Sequence, residues 1–190
     1  QRAVFEIRLP SDPNLVKKYK NDKKTQLIAE KIKKLDYDKL LAQEKDQWQE
    51  KLKEGMQVSL PDQKMQSAFA ANKAFVLLFY DGDYITPGPA TYHHFWFRDA
   101  AYLLNALDKL GYHQETRRVL ATYKKRQLAS GFFLSQKGEW DSTGQAIWSL
   151  VEHYRLTRNE TFLKDVYHNI SRGAKWINSK RTSNLKFSRG

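Results

Sequence analysis

Six ring-bearing residues in a row, Tyr92, His93, His94, Phe95, Trp96 and Phe97, run straight into Arg98-Asp99. Rings beside a fixed pair of opposite charges suit a ligand with an apolar face and a rim of hydroxyls. A pyranose sugar is such a ligand. Its C–H face stacks on Trp, and its hydroxyls need donors and acceptors already in place. An arginine next to an aspartate supplies both, through charge-assisted hydrogen bonds. A site built to bond hydroxyls also rejects analogues that lack them. A second segment, GFFLSQKGEWDSTGQ, sets Trp140 directly before Asp141 and repeats the ring-plus-carboxylate unit.

Each of these residues also has a plainer reading. Asp99 at a helix start is a good N-cap, with Arg98 in an ordinary ion pair. Trp96 and Trp140 suit core packing, since Trp is mostly buried in any fold. His93 and His94 suggest a metal, but adjacent histidines project differently. No third ligand stands at a convincing spacing, so no metal site is expected. Glu139 reads as an acid catalyst in the sharper view and as an exposed loop residue beside Lys137 in the plainer one.

The elements that must hold these loops are helices. After residue 60, apolar helices over 62–80, 99–110 and 145–156 alternate with more charged ones over 115–127 and 161–179. Pro61-Asp62 suits the start of the first. That helix is apolar round much of its circumference, which predicts burial on most sides. Asp99 is expected to cap the next, and Gly111 to stop it. In a two-layer ring of helices the apolar ones are inner and the charged ones outer. Both ring-and-acid loops precede apolar helices, so both should open on the same end. Pro87, Gly88 and Pro89 should stiffen the first loop.

Before residue 60 the texture differs. AVFEIRL, residues 3–9, alternates like one strand. Two charged helices, over 24–34 and 37–54, follow a break at SDPN. Residues 1–60 therefore read as the end of a preceding domain plus a charged helical linker, and 61–190 as a second domain. The expected fold class is mainly α: antiparallel helical hairpins with a short N-terminal strand and a helical linker.

Composition narrows the function classes. At 41% hydrophobic the 190 residues can bury an ordinary core. No run is long and apolar enough for a membrane span, so no membrane partner is expected. There is no cysteine, hence no disulfide or thiolate metal site. The formal charge of +12 taken alone favours polyanions. Its distribution weakens that reading. The first third mixes both signs, the middle is nearly neutral, and the excess lies beyond Lys124, in Lys124-Lys125-Arg126 and a basic, weakly patterned tail SKRTSNLKFSRG. Nucleic acid is therefore not an expected partner, although a polyanion binder remains an alternative function.

TYHHFWFRDAAYLLNALDKLGY resembles the tryptophan–arginine–aspartate loop and following helix of six-hairpin glycosidases, the (α/α)6 toroid enzymes. The likeness is to glucoamylase-type family 15 hydrolases and glycogen-debranching-like proteins. GFFLSQKGEWDSTGQAIWSLVEHYRLT, NETFLKDVYHNISRGAKWI and VSLPDQKMQSAFAANKAFVLLFYDGDYITPGPATY are similar to further loops and helices of that family, so the likeness covers about 58–178. It implies that the hairpins form part of an (α/α)6 toroid. It implies that Arg98 and Asp99 hydrogen-bond a terminal sugar, that Trp96 walls the pocket, that Tyr92 belongs to it, and that Trp140 or Asp141 lies near it. The expected ligand is an oligo- or polysaccharide of α-glucan type, with no cofactor. The family hydrolyses α-glucosidic bonds with inversion, using one carboxyl as acid and another to activate water. Both family carboxylates come later in the chain than anything matched here, so none of these 190 residues is assigned as catalytic. The resemblance thus implies the first part of a longer toroid. A partial ring would leave exposed apolar helix faces, which favour association with another chain. A carbohydrate-binding or structural helical domain without catalysis is the other alternative.

Overall fold

The computed structural model describes residues 36–89 and 91–187, together with Lys23 and Leu27. The expected strand over 3–9 and helix over 24–34 lie outside the described residues. The described part is mainly helical: α1 (Tyr37–Glu54), α2 (Gln63–Leu78), α3 (Phe97–Lys109), α4 (His113–Ala121), α5 (Ser142–Thr157) and α6 (Glu160–Phe187). A two-stranded hairpin, β1 (Tyr80–Asp81) and β2 (Tyr84–Ile85), pairs Tyr80 with Ile85 between α2 and α3. The chain divides into two compact units, residues 1–49 and 50–190. In the first, the described part of α1 buries no side chain.

In the second unit the core is built on α3 and α5. Ala100, Ala101, Leu104 and Leu107 of α3 are buried, as are Ala146 and Leu150 of α5. These spacings put small and branched side chains on one stripe of each helix, so the two can approach closely. Three contacts give the direction. Arg98 meets Asp141, Tyr102 meets Trp148, and Asp108 meets His153. Both numbers climb together, so α3 and α5 run parallel. For α5 and α6 the order reverses. Phe162 packs on His153, whereas Gly173 lies against Ile147 and Thr143. Those helices are antiparallel, joined across Arg158 in the left-handed conformation. Two parallel helices need a return element between them, and α4 is that element. It buries Val119 and Leu120, and Thr116 Oγ1 donates to Leu104 O at 3.3 Å.

A ring cluster closes the core at the N-terminal end of α3. Phe97 meets Phe95, Tyr123 and Phe133 edge-on, with centroids 4.9, 4.8 and 5.7 Å away. Each such pair stabilises by about 0.5–1.5 kcal/mol beyond its buried area. The Arg126 guanidinium covers the far side, 4.1 Å from the Phe95 centroid.

Several expectations need correction. Helix α3 begins two residues before Asp99, because Phe97 is anchored in the core. Trp96 is the N-cap residue and makes no side-chain capping bond, and Asp99 stands in the first turn. A carboxylate there still faces the positive end of the helix dipole. Helix α2 starts as expected, with Asp62 accepting from Met65 N at 2.8 Å. It is not buried on most sides. Only Lys73 and Leu77 are, while Met65, Phe75 and Leu78 are exposed, because α2 has packing partners on one side only among the described residues. The expected helix over 115–127 divides into α4 and a 3-10 turn at Tyr123–Arg126. The basic segment after residue 179 continues α6 to Phe187, since no Gly or Pro interrupts it there.

The junction from α1 to α2 is held by polar contacts. Lys73 is buried, and its Nζ donates to Leu52 O at 2.6 Å and Met56 O at 2.9 Å. It thereby bonds one carbonyl in the last turn of α1 and one just beyond it. Burial lowers its pKa. Glu115 loses solvent on burial, which alone would raise its pKa. The hydrogen bond from Lys51, a backbone hydrogen bond and the charges of Lys51 and Arg118 together outweigh this and hold the carboxyl below its usual range. Gly55 sits against the Tyr112 ring, where a Cβ would approach ring atoms to 2.5 Å. Tyr112 is buried and donates to Lys51 O, so it has nowhere to move. Gly55→Ala should destabilise the fold by about 1–3 kcal/mol, read as a lower urea midpoint at unchanged slope.

Candidate functional site

The ring run enters α3 through an extended Trp96, at φ −126° and ψ 134°. Successive side chains of an extended chain point to opposite sides. Phe95 and Phe97 therefore go to the core, and His94 and Trp96 face outward. His94 packs edge-on to Trp96 with centroids 6.0 Å apart, and Tyr92 lies 6.3 Å from Trp96. Two of the six rings expected at a ligand, Phe95 and Phe97, are structural.

The loop before them is fixed by its own polar groups. Thr86 Oγ1 donates to Gly88 O at 3.0 Å, and His93 Nδ1 lies 3.1 Å from the same oxygen. A Cβ on Gly88 would overlap Thr91 O, so this turn accepts only glycine. Tyr92 has φ 55°, a left-handed conformation that costs a non-glycine residue about 1 kcal/mol or more. Its ring is 74% exposed.

Pro87, Gly88, Thr91, Tyr92, Trp96, Arg98 and Asp99 line an open hollow of about 430 Å³. Arg98 is its polar centre. Its Nη2 donates to Glu139 Oε2 and to Asp141 Oδ2, each at 2.9 Å, and its Nε reaches Asp141 Oδ2 at 3.3 Å. Glu139, which the sequence suggests is exposed beside Lys137, is thus a partner of Arg98. The parallel run of α3 and α5 puts both N-termini at one end, and this pairing is the result. Asp141 also accepts from Gln145 Nε2 at 2.8 Å. The hydrogen bond from Arg98, then its charge, hold the Asp141 carboxyl below its ordinary range, and the same bond pushes the guanidinium up. Asp99 lines the hollow and makes no side-chain hydrogen bond among the described residues. One guanidinium therefore stands among three carboxylates, those of Asp99, Glu139 and Asp141.

The six expected site residues fall into two groups. Tyr92, Trp96, Arg98 and Asp99 share the hollow. Trp140 and Asp141 line a neighbouring one and join the first through the Arg98–Asp141 bond.

Sequence reasoning passes over Asp108. It is buried and accepts from Nδ1 of His153 at 2.9 Å and Nδ1 of His113 at 2.9 Å. A signal is present, because an acidic residue in the last turn of a helix opposes the dipole and needs a compensating partner.

No family model matches the chain, and no solved structure matches it. The chain is 27% identical over 96 residues to an uncharacterized glycosyl hydrolase of Methanocaldococcus jannaschii. The match takes in 45% of this chain and spans 16% of that protein's length. This partial likeness suggests a glycosidase-like protein.

Proposed function

We propose that this chain supplies the sugar-recognition end of an inverting, glucoamylase-like α-glycoside hydrolase of the (α/α)6 toroid type. The Arg98–Asp141 bond carries the reading, because it joins two separate ring-and-acid loops into one site. The parallel α3 and α5 with α4 as the return also suit a ring of alternating helices. In this reading Arg98 donates to sugar hydroxyls, Asp99 accepts from them, and Trp96 with Tyr92 stacks on the C–H face. The strained backbone of Tyr92 supports a ligand-facing role. The ligand is an α-glucan-type oligosaccharide. The chain's part is binding, so in isolation it serves as a carbohydrate-binding module.

The polyanion alternative finds less support. Three carboxylates surround the site's arginine. Lys124 lies 3.7 Å from Asp165, and Arg126 is stacked on Phe95. Calorimetric titration with maltohexaose tests the reading. Binding should be insensitive to salt and should weaken at least about tenfold in Asp99→Ala, some 1.4 kcal/mol. Unchanged affinity in that variant would remove Asp99 from the site.

A further inference from the structure

Beyond the Arg98 cluster lies a second hollow of about 550 Å³, lined by Trp140, Asp141, Gly144, Trp176, Ile177 and Lys180. Its floor is aromatic. The buried Phe132 lies 4.5 Å from the Trp176 centroid at an interplanar angle of 32°, and 5.8 Å from that of Trp140 at 33°. Three rings, two from the segment before α5 and one from the middle of α6, thus form one row, and Trp140 is still 71% exposed. Gly144 keeps the space clear, since nothing lies within 4 Å of where its Cβ would be.

The rim carries unused hydrogen-bonding capacity. Every side-chain bond that Asp141 receives among the described residues falls on Oδ2, so Oδ1 takes no side-chain donor. Lys180 Nζ lies 6.0 Å from the Trp176 centroid and has no hydrogen bond or ion pair among the described residues. A wholly apolar ligand would desolvate both groups without replacing their water. An anionic ligand would meet the Asp141 carboxylate. A neutral ring with apolar faces and hydroxyl edges satisfies floor and rim together. Arg98 lines the first hollow, Asp141 the second, and the two residues are bonded, so the hollows adjoin at that pair.

We infer that the Trp140–Trp176 hollow binds a further unit of a neutral oligosaccharide held in the first hollow, so that this protein selects chains over single sugars. This rests on the sugar-binding reading of the Arg98 site. Two tryptophans and a lysine outside the first site thereby set the length of the ligand.

NMR titration of the full chain with glucose and with maltohexaose provides the test, repeated in Trp140→Ala and Trp176→Ala. The unaltered protein should bind maltohexaose at least about tenfold more tightly than glucose. Trp140→Ala removes an exposed ring, so the core is kept. It should abolish that preference. Trp176→Phe keeps a ring on Phe132 and should retain most of the preference, which separates ligand stacking from folding damage. Equal affinity for the two sugars in the unaltered protein overturns the inference and leaves the first site standing. So does a preference that survives in both alanine variants. Glucose affinity that survives in Arg98→Ala, with the preference still lost in Trp140→Ala, overturns the first site instead. Binding of neither sugar overturns both.

Discussion

Arg98→Ala should lower oligosaccharide affinity about 100-fold, some 2.8 kcal/mol. Two effects add. The variant loses a fork of charge-assisted donors, each worth about 1.5–3 kcal/mol when its partner is ionised. It also leaves Glu139 and Asp141 facing one another and Asp99 without the cation that holds them together. Arg98→Lys should recover only part of the loss, because an ammonium cannot bond both carboxylates in the same planar arrangement. The side chain of Arg98 is half exposed, so thermal stability should change little. Calorimetry beside a melting curve separates the two effects. Affinity within twofold of the unaltered protein would count against the site. The same pair predicts the pH response. Asp141 is held ionised below its ordinary value of 3.8, chiefly by the hydrogen bond from Arg98. Its contribution to binding should therefore persist as the pH falls through that value, and be lost only below it.

Asp108→Ala should be the most damaging substitution for the fold, costing about 3–5 kcal/mol. The carboxylate is a pure acceptor when ionised, so both imidazoles must present Nδ1–H to it. Removing it strands the His153 donor, which is almost wholly buried between α3 and α5. It also unties the last turn of α3 from α4, where His113 sits. His113→Ala should cost much less, since that ring is partly exposed and water can replace it. Urea unfolding at constant slope measures both. A loss under about 1 kcal/mol for Asp108→Ala would mean that the cluster is not a structural tie.

Local signals in the sequence make much of the fold legible. The Pro61-Asp62 start and the Gly111 stop are local chemistry, and α2 and α3 begin or end beside them. The meeting of the two ring-and-acid loops follows from helix alternation alone, since every second helix points the same way. What escapes depends on three-dimensional context. Asp99 looks like a cap until Phe97 is seen anchored among Phe95, Tyr123 and Phe133, which starts the helix earlier. The six rings look alike in sequence, and only extended backbone at Trp96 divides them between core and hollow. Glu139 looks solvent-bound beside Lys137, because its partner Arg98 is distant in sequence. The exposure of α2 does not follow from its apolar circumference, because composition does not say which neighbours are present.

The central claim is that the hollow around Arg98 is where sugar meets this protein. The most direct measurement is an NMR titration with maltohexaose that follows the Trp96 indole and the Arg98 side-chain N–H signals. The account predicts that both move together and saturate, and that Arg98→Ala abolishes the Trp96 response. Saturable binding that leaves both signals in place would contradict it.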